Sequence, residues 1–217
     1  MTPRDRILEA AMTVFRRHGF RRSSIEETAE AAGLTRQALY HHFKSKEALF
    51  RAVIERVHDG ALADGAAAAE RAEAAGGTLA DIVIAQVAAR LKAFVASFDG
   101  SPHVEEIFSE HLNHARDLYQ HYAELHDQQV AATIERTVKR QKLTLASGMT
   151  AVKLARYVEL AVTGTKSAYP SMRPADAFLR DAEAMLRTLI AGAITASKPR
   201  KSAPSARPVR RKGGTRK

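Results

Sequence analysis

Cysteine and tryptophan are both absent from the 217 residues. Without thiols there is no disulfide framework, no thiolate zinc site, no iron–sulfur cluster and no cysteine nucleophile. Proline is scarce over most of the chain: residues 1–197 hold only Pro3, Pro102, Pro170 and Pro174. Apolar runs stay well short of the ~18–20 residues a membrane helix needs. The start, Met1-Thr2-Pro3-Arg4-Asp5-Arg6, leads into an amphipathic pattern rather than the apolar core of a signal peptide. A soluble cytoplasmic protein with no membrane partner is expected. Short alternating strand patterns are missing, and so are a P-loop, His-Glu-x-x-His and Gly-x-Ser-x-Gly. The expectation is therefore no enzyme, no catalytic residue and no cofactor.

Positive charge is unevenly placed. The formal net charge is +10, but residues 198–217 carry nine Lys/Arg and no acid, which leaves 25 bases against 24 acids in residues 1–197. The basic balance belongs to one tail, so any claim of sequence-specific DNA binding has to come from the remainder. With three prolines, adjacent glycines and little to bury, the tail is expected to be disordered. It could act as a nonspecific DNA tether, each neutralised phosphate steepening the salt dependence by ~0.9 in log–log slope.

Residues 1–197 read as helices, because apolar residues recur at spacings of three and four. Ile7, Leu8, Ala11, Val14 and Phe15 share one face of a first helix that stops at His18-Gly19. Ser24-Ile25-Glu26-Glu27 is a capping box opening a second helix that ends at Gly33. Thr35 caps a third, and a fourth begins near Ser45 and runs on, through an Ala-rich stretch, to the Gly76-Gly77 break. Further helices are expected from Thr78 for about 20 residues, over roughly 103–112, from about Asp117 to Lys142, and over roughly 149–169 and 174–196.

Ser24 to Lys46 is the informative stretch. Two short helices that cross closely need a small residue where their backbones approach, and Ala29 supplies it; the turn needs a positive φ, which Gly33 permits. Leu34, Leu39 and Phe43 serve as anchors, leaving Arg36, Gln37 and His41 to point outward. Arg36 suits guanine and Gln37 adenine at major-groove edges. Ser23, Tyr40, His41 and Lys46 suit phosphate. An αα-hairpin inside a helical bundle would satisfy the same spacing.

The residues go further than spacing. Gly19-Phe20, Ser24-Ile25, Ala29 through Thr35, and Leu39 through Leu49 together resemble the N-terminal domain of TetR-family transcriptional regulators over about residues 5–57. On that resemblance, Ser23, Thr35, Arg36, Gln37, Tyr40, His41 and Lys46 fall on the family's DNA-contact positions. Thr28 departs from the aliphatic residue usual there. The resemblance implies an all-α homodimer with a three-helix helix-turn-helix domain (1–46), a helical ligand-binding and dimerisation domain (47–197) and, here, the basic tail (198–217). It implies a nucleoid-associated repressor released from a palindromic operator by a small molecule. An architectural DNA-binding protein led by its tail is the alternative.

In the second domain the helices over about 149–169 and 174–196 carry more apolar surface than one internal face needs, which makes them the expected homodimer contact. Polar groups interleaved among apolar ones point to a pocket. The candidate ligand contacts are Arg90, Phe94, His111, Tyr122, His126, Gln129 and Tyr157, with Tyr119 beside them. His111, His114, His121 and His126 crowd into sixteen residues near Glu106 and Glu110, but a metal needs convergent ligands and no metal site is expected.

Overall fold

The computed structural model describes residues 2–195. Among them the chain is all helical: α1 Pro3–Arg22, α2 Ile25–Ala31, α3 Arg36–His42, α4 Lys46–Ala74, α5 Leu79–Ser97, α6 Val104–His114, α7 Arg116–Gln141, α8 Ala151–Ala168 and α9 Ala175–Gly192, with a 3-10 turn at Pro170–Met172. The helix starts follow local chemistry. Thr2, Ser24 and Thr78 each form a complete capping box, while Thr35, Ser45 and Thr150 accept an amide from the first turn. The expected stop at Gly19 is a kink instead. Gly19 takes φ +77°, and the chain resumes helical geometry as far as Arg22. The backbone demands glycine there, and a Cβ would also lie 2.5 Å from Glu106 Oε2 and push that carboxylate aside.

Packing forms two cores. The first joins α1–α3 to the front half of α4 through Phe15, Phe20, Leu39, Phe43, Leu49, Phe50 and Ile54, and it takes in Ile107 of α6 and Leu118 of α7. It therefore runs unbroken across residue 46. The second core binds α5, α7, α8 and α9 through Leu79, Val87, Ile134, Leu154, Val158, Phe178 and Leu186. Phe94 of α5 and Phe108 of α6 are partly buried and touch both cores. A single antiparallel bridge, Leu145 to Ile194, pins the end of α9 against the α7–α8 loop. No helix among the described residues is long and apolar enough to cross a membrane. The expected basic tail lies outside the described residues.

Candidate nucleic-acid interface and internal cavity

The α2–turn–α3 unit is held from beneath. Leu34 N–H donates to the Ala29 carbonyl at 2.8 Å across the turn, and Gly33 supplies φ +67° with nothing near its missing side chain. Thr28 is fully buried, and its hydroxyl donates to the Ser24 carbonyl at 3.1 Å, so the departure from an aliphatic residue leaves no unpaired polar group. Leu39 and Phe43 anchor α3 in the first core. Arg36, Gln37, His41 and His42 are exposed on its other side. Arg36 pairs with Glu26 at 2.7 Å and lies 5.5 Å from the centre of the Tyr40 ring. Both contacts are solvent-facing and hold the guanidinium on the outward face rather than inside the fold.

Three other candidates behave differently. Ser23 is buried, and its hydroxyl donates to the Phe20 carbonyl at 2.7 Å. Lys46 Nζ donates to the carbonyls of Phe20, Arg21 and Ser23 at 2.9, 3.2 and 3.1 Å and sits 4.6 Å from the Phe20 ring centre. It closes the open end of α1 rather than projecting as a free cation. The Thr35 hydroxyl accepts the Ala38 amide as the cap of α3. The outward polar face is thus Arg36, Gln37, Tyr40, His41 and His42, whereas Ser23 and Lys46 serve the scaffold that aims it.

A second feature is a cavity of about 510 Å³ between α4, α5, α6, α7 and α8. Its walls include Leu91, Phe94, Phe108, Leu112 and Met172, with His58, Arg90, His111, Tyr119 and Lys166 as polar groups. Of the candidate ligand contacts, Arg90, Phe94 and His111 are on this wall. Four of the candidate ligand contacts are not. Tyr122 is buried behind His58, stacked on it at 4.6 Å, and its hydroxyl donates to Asp59 at 2.6 Å. His126 is buried, with Nδ1 3.3 Å from Glu159. Gln129 is half-buried on α7, away from the wall. Tyr157 is on the outer surface of α8, as its neighbours Val152 and Leu160 are. A period of 3.6 residues places a side chain on a face but does not say which neighbour covers that face.

His58 and Lys166 are polar wall groups absent from the candidates that the sequence offers. Lys166 stands seven residues after Glu159 and four after the buried Val162, which is the i, i+3, i+7 signature of one helix face. His58 follows Phe50, Ile54 and Val57 on the apolar stripe of α4.

Charge on the wall is set by burial. His58 Nε2 lies 3.4 Å from His111 Nε2, so one ring donates and the other accepts. Burial, with the nearby positive charges, pulls His58 down to about 3 and His111 to about 4, and both are neutral at pH 7. Glu159 is the reverse: burial alone would raise it, but the His126 hydrogen bond and the Lys166 and Arg90 charges hold it at about 2. His126, Asp127 and Glu159 bring possible metal-ligand atoms within 4.8 Å of one another. Two guanidinium groups press on the same oxygens, however, Arg90 at 4.0 Å from Glu159 and Arg156 at 3.8 Å from Asp127. The carboxylates here are counter-ions. The other crowded histidines diverge, His114 to Glu110 at 3.1 Å and His121 against the Tyr122 ring.

Helix α6 connects the two features. One side of it contributes Glu105, Phe108, His111 and Leu112 to the cavity. The other grips the end of α1: Glu106 Oε1 accepts the Arg21 amide at 2.7 Å and Glu110 Oε1 accepts Arg21 Nε at 2.8 Å. Beside it, Arg51 of α4 donates to the His114 carbonyl and bidentately to Asp117, at 2.6–2.7 Å.

Among the described residues this is an all-helical protein with an exposed helix-turn-helix packed on a helical body that holds an open cavity. Residues 7–53 match the family of bacterial regulatory proteins named tetR. That match covers the α1–α3 unit and the start of α4, and the overall fold is similar to that of solved TetR-family transcriptional regulators. Curated relatives include the transcriptional repressor ComR of Escherichia coli, 43% identical over 56 residues (26% of this chain, 27% of that protein). The regulator UidR of the same species is 42% identical over 60 residues (28% and 31%). The chain thus matches little more than a quarter of these relatives' length. Solved structures extend the likeness to the whole fold. A TetR-family regulator from Cytophaga hutchinsonii has a TM-score of 0.64 at 18% identity, covering 89% of this chain and 96% of its own. The repressor FadR of Thermus thermophilus, solved with lauroyl-CoA, has a TM-score of 0.60 at 20% identity, covering 92% and 100%.

Proposed function

We propose that this chain is a ligand-responsive transcriptional regulator that binds a two-fold symmetric operator as a homodimer and acts as a repressor. The observation that carries the reading is the outward face of α3. Its Arg36, Gln37 and His41 stand in solvent, with Tyr40 half-buried beside them, on a helix anchored by Leu39 and capped by Thr35. Arg36 and Gln37 are the base readers in this reading; Tyr40 and His41 meet phosphate. Two copies, with their recognition helices about 34–36 Å apart, would read successive major grooves on one face of the duplex.

The cavity is the effector site in this reading. Its wall includes His58 of α4, twelve residues and about 18 Å of helix from Lys46. Lys46 holds the end of α1, and α6 holds it from the other side. A molecule that wedges α4 from α6 changes the seat of α1 and, through it, the angle of α3. The ligand acts only by its different affinity for the two dimer shapes.

Selection of bound duplexes from a random pool tests the proposal. It expects a palindrome of two half-sites about one helical turn apart, and removal of residues 198–217 should weaken binding while leaving that preference. Enrichment without any sequence preference, or binding lost entirely with the tail, would favour the architectural alternative.

A further inference from the structure

The cavity's one strongly unbalanced group is Arg90. Its side chain is about nine-tenths buried, it is on the wall, and its Nη1 has no hydrogen-bond partner among the described residues. The nearest acid, Glu159, stands 4.0 Å away, beyond hydrogen-bond reach. Glu159 is moreover committed elsewhere, within 3.3 Å of both His126 Nδ1 and the Thr163 hydroxyl. A buried guanidinium N–H left unpaired costs free energy that a suitably placed acceptor returns. Lys166 is on the same wall, its ammonium 5.5 Å from the Tyr119 ring centre. Burial and Arg90 pull Lys166 down to about 8, against the pull of Glu159. It is still mostly charged at pH 7.

The polar groups are unevenly shared. Two cations, Arg90 and Lys166, are on the wall, the buried Glu159 is not part of it and is held by His126 and Thr163, and the imidazoles of His58 and His111 are neutral. The acid that is on the wall, Glu105, is exposed. One anionic group fits the two cations, and a second would meet Glu105. The rest of the lining is mixed: Leu91, Phe94, Phe108, Leu112 and Met172 form an apolar part, and Ser109, Tyr119, Thr163, Ser167, Tyr169 and Ser171 add neutral hydroxyls. The volume is in the range of sites for small organic ligands.

We infer that the cavity takes an amphipathic monocarboxylate, its carboxylate between Arg90 and Lys166 and its apolar body against Phe94, Phe108 and Leu112. This rests on the cavity being the effector site and adds the chemical class of the effector. A guanidinium and a carboxylate form strong charge-assisted hydrogen bonds, and Arg90 is the guanidinium on this wall. A neutral molecule would leave Arg90 unpaired, and a cation would be repelled.

Titration calorimetry on the full chain at pH 7 tests this, with octanoate and 4-phenylbutanoate as probes, each measured against its own alcohol. At least one acid should bind once per chain and about tenfold or more tighter than its alcohol, the discrimination a charge-assisted hydrogen bond gives. Lys166→Met should weaken the acid and spare the alcohol. Arg90→Met alone would strand Glu159, so the paired variant Arg90→Met/Glu159→Gln keeps the local charge and should abolish the preference. Alcohols binding as tightly as the acids, or a preference surviving the paired variant, would overturn the inference and leave the effector cavity standing. If neither acids nor alcohols enter the cavity, both fall together.

Discussion

At the scale of single residues, two cations of the head do opposite jobs. Arg36 is 63% exposed, and its partners Glu26 and Tyr40 are on the same outer face, so little of the fold depends on it. Lys46 donates to three carbonyls at the end of α1. Arg36→Ala should therefore leave unfolding by urea unchanged while weakening operator binding by about 1–3 kcal/mol and relaxing the preference at one base position. Lys46→Met should do the reverse first, lowering stability by about 1–3 kcal/mol as charged hydrogen bonds to three carbonyls, two of them partly buried, are lost. Equal losses of stability in the two variants would refute the division. The histidines carry a pH prediction. His58, His111 and His126 are held neutral by burial, at about 3, 4 and 4, against 6.5 in the unfolded chain. A depressed native value means that the unfolded state takes up the protons first. Stability is thus complete above pH 6.5 and falls as pH drops toward 4, by about 1 kcal/mol per histidine at pH 5.5. Arg90 and Lys166 act in the same direction on His58. The depressed carboxylates lose their contribution only below about pH 4.5, so the window from 6.5 to 5 belongs to histidine. Urea midpoints taken across it should slope downward with acid, less steeply in His58→Gln/His111→Gln. A flat profile in the parent protein would remove the basis of the argument.

At the scale of elements, most of the helices were legible because their beginnings are local. A hydroxyl before a helical run accepts the third amide whatever the rest of the chain does, and Ser24, Thr35, Ser45 and Thr78 all cap where the sequence puts them. Gly33 was legible for the same reason, since only the turn decides its φ. What stayed hidden depends on contacts remote in sequence. The continuation of α1 past Gly19 needs Glu106, 87 residues away, to receive the Arg21 amide. Ser23 and Lys46 look like free polar groups until the α1 terminus is seen between them. Tyr157 and Lys166 are on one apolar helix with similar local neighbours, yet the first faces outward and the second a cavity. The same remote contacts make α6 the element that joins cavity to head, and they give it a test. Glu110→Gln weakens the hold on Arg21 at 2.8 Å without touching the cavity wall. Effector binding in the absence of DNA should stay the same. The factor by which effector lowers operator affinity should shrink, because that factor is the coupling between the two sites. Unchanged coupling would move the connection to α4 and its Arg51–Asp117 pair.

At the scale of the molecule, α8 and α9 show large apolar side chains that no described residue covers. Val152, Tyr157 and Leu160 of α8 are 63%, 42% and 50% exposed, and Met185 of α9 is 47% exposed, while the opposite sides of the same helices are buried in the second core. Large apolar side chains grouped on two adjacent helices mark an association surface more often than a solvated one. A two-fold pairing of α8 and α9 with their copies would make a four-helix contact that buries all four side chains. It would also fix two α3 helices at one separation, which a single chain has no means of doing. Leu160→Glu places a charge at the centre of that surface but not in the interior, so helix content by circular dichroism and the urea midpoint at high dilution should hold. Sedimentation equilibrium should then shift from two chains to one. Operator binding should fall far more steeply than with any single base contact, because each half-site would have to be bound without its neighbour. A variant that stays dimeric, or a parent chain that is monomeric at micromolar concentration and on its operator, would mean that the apolar surface serves another partner and that the half-site geometry is set by something other than α8 and α9.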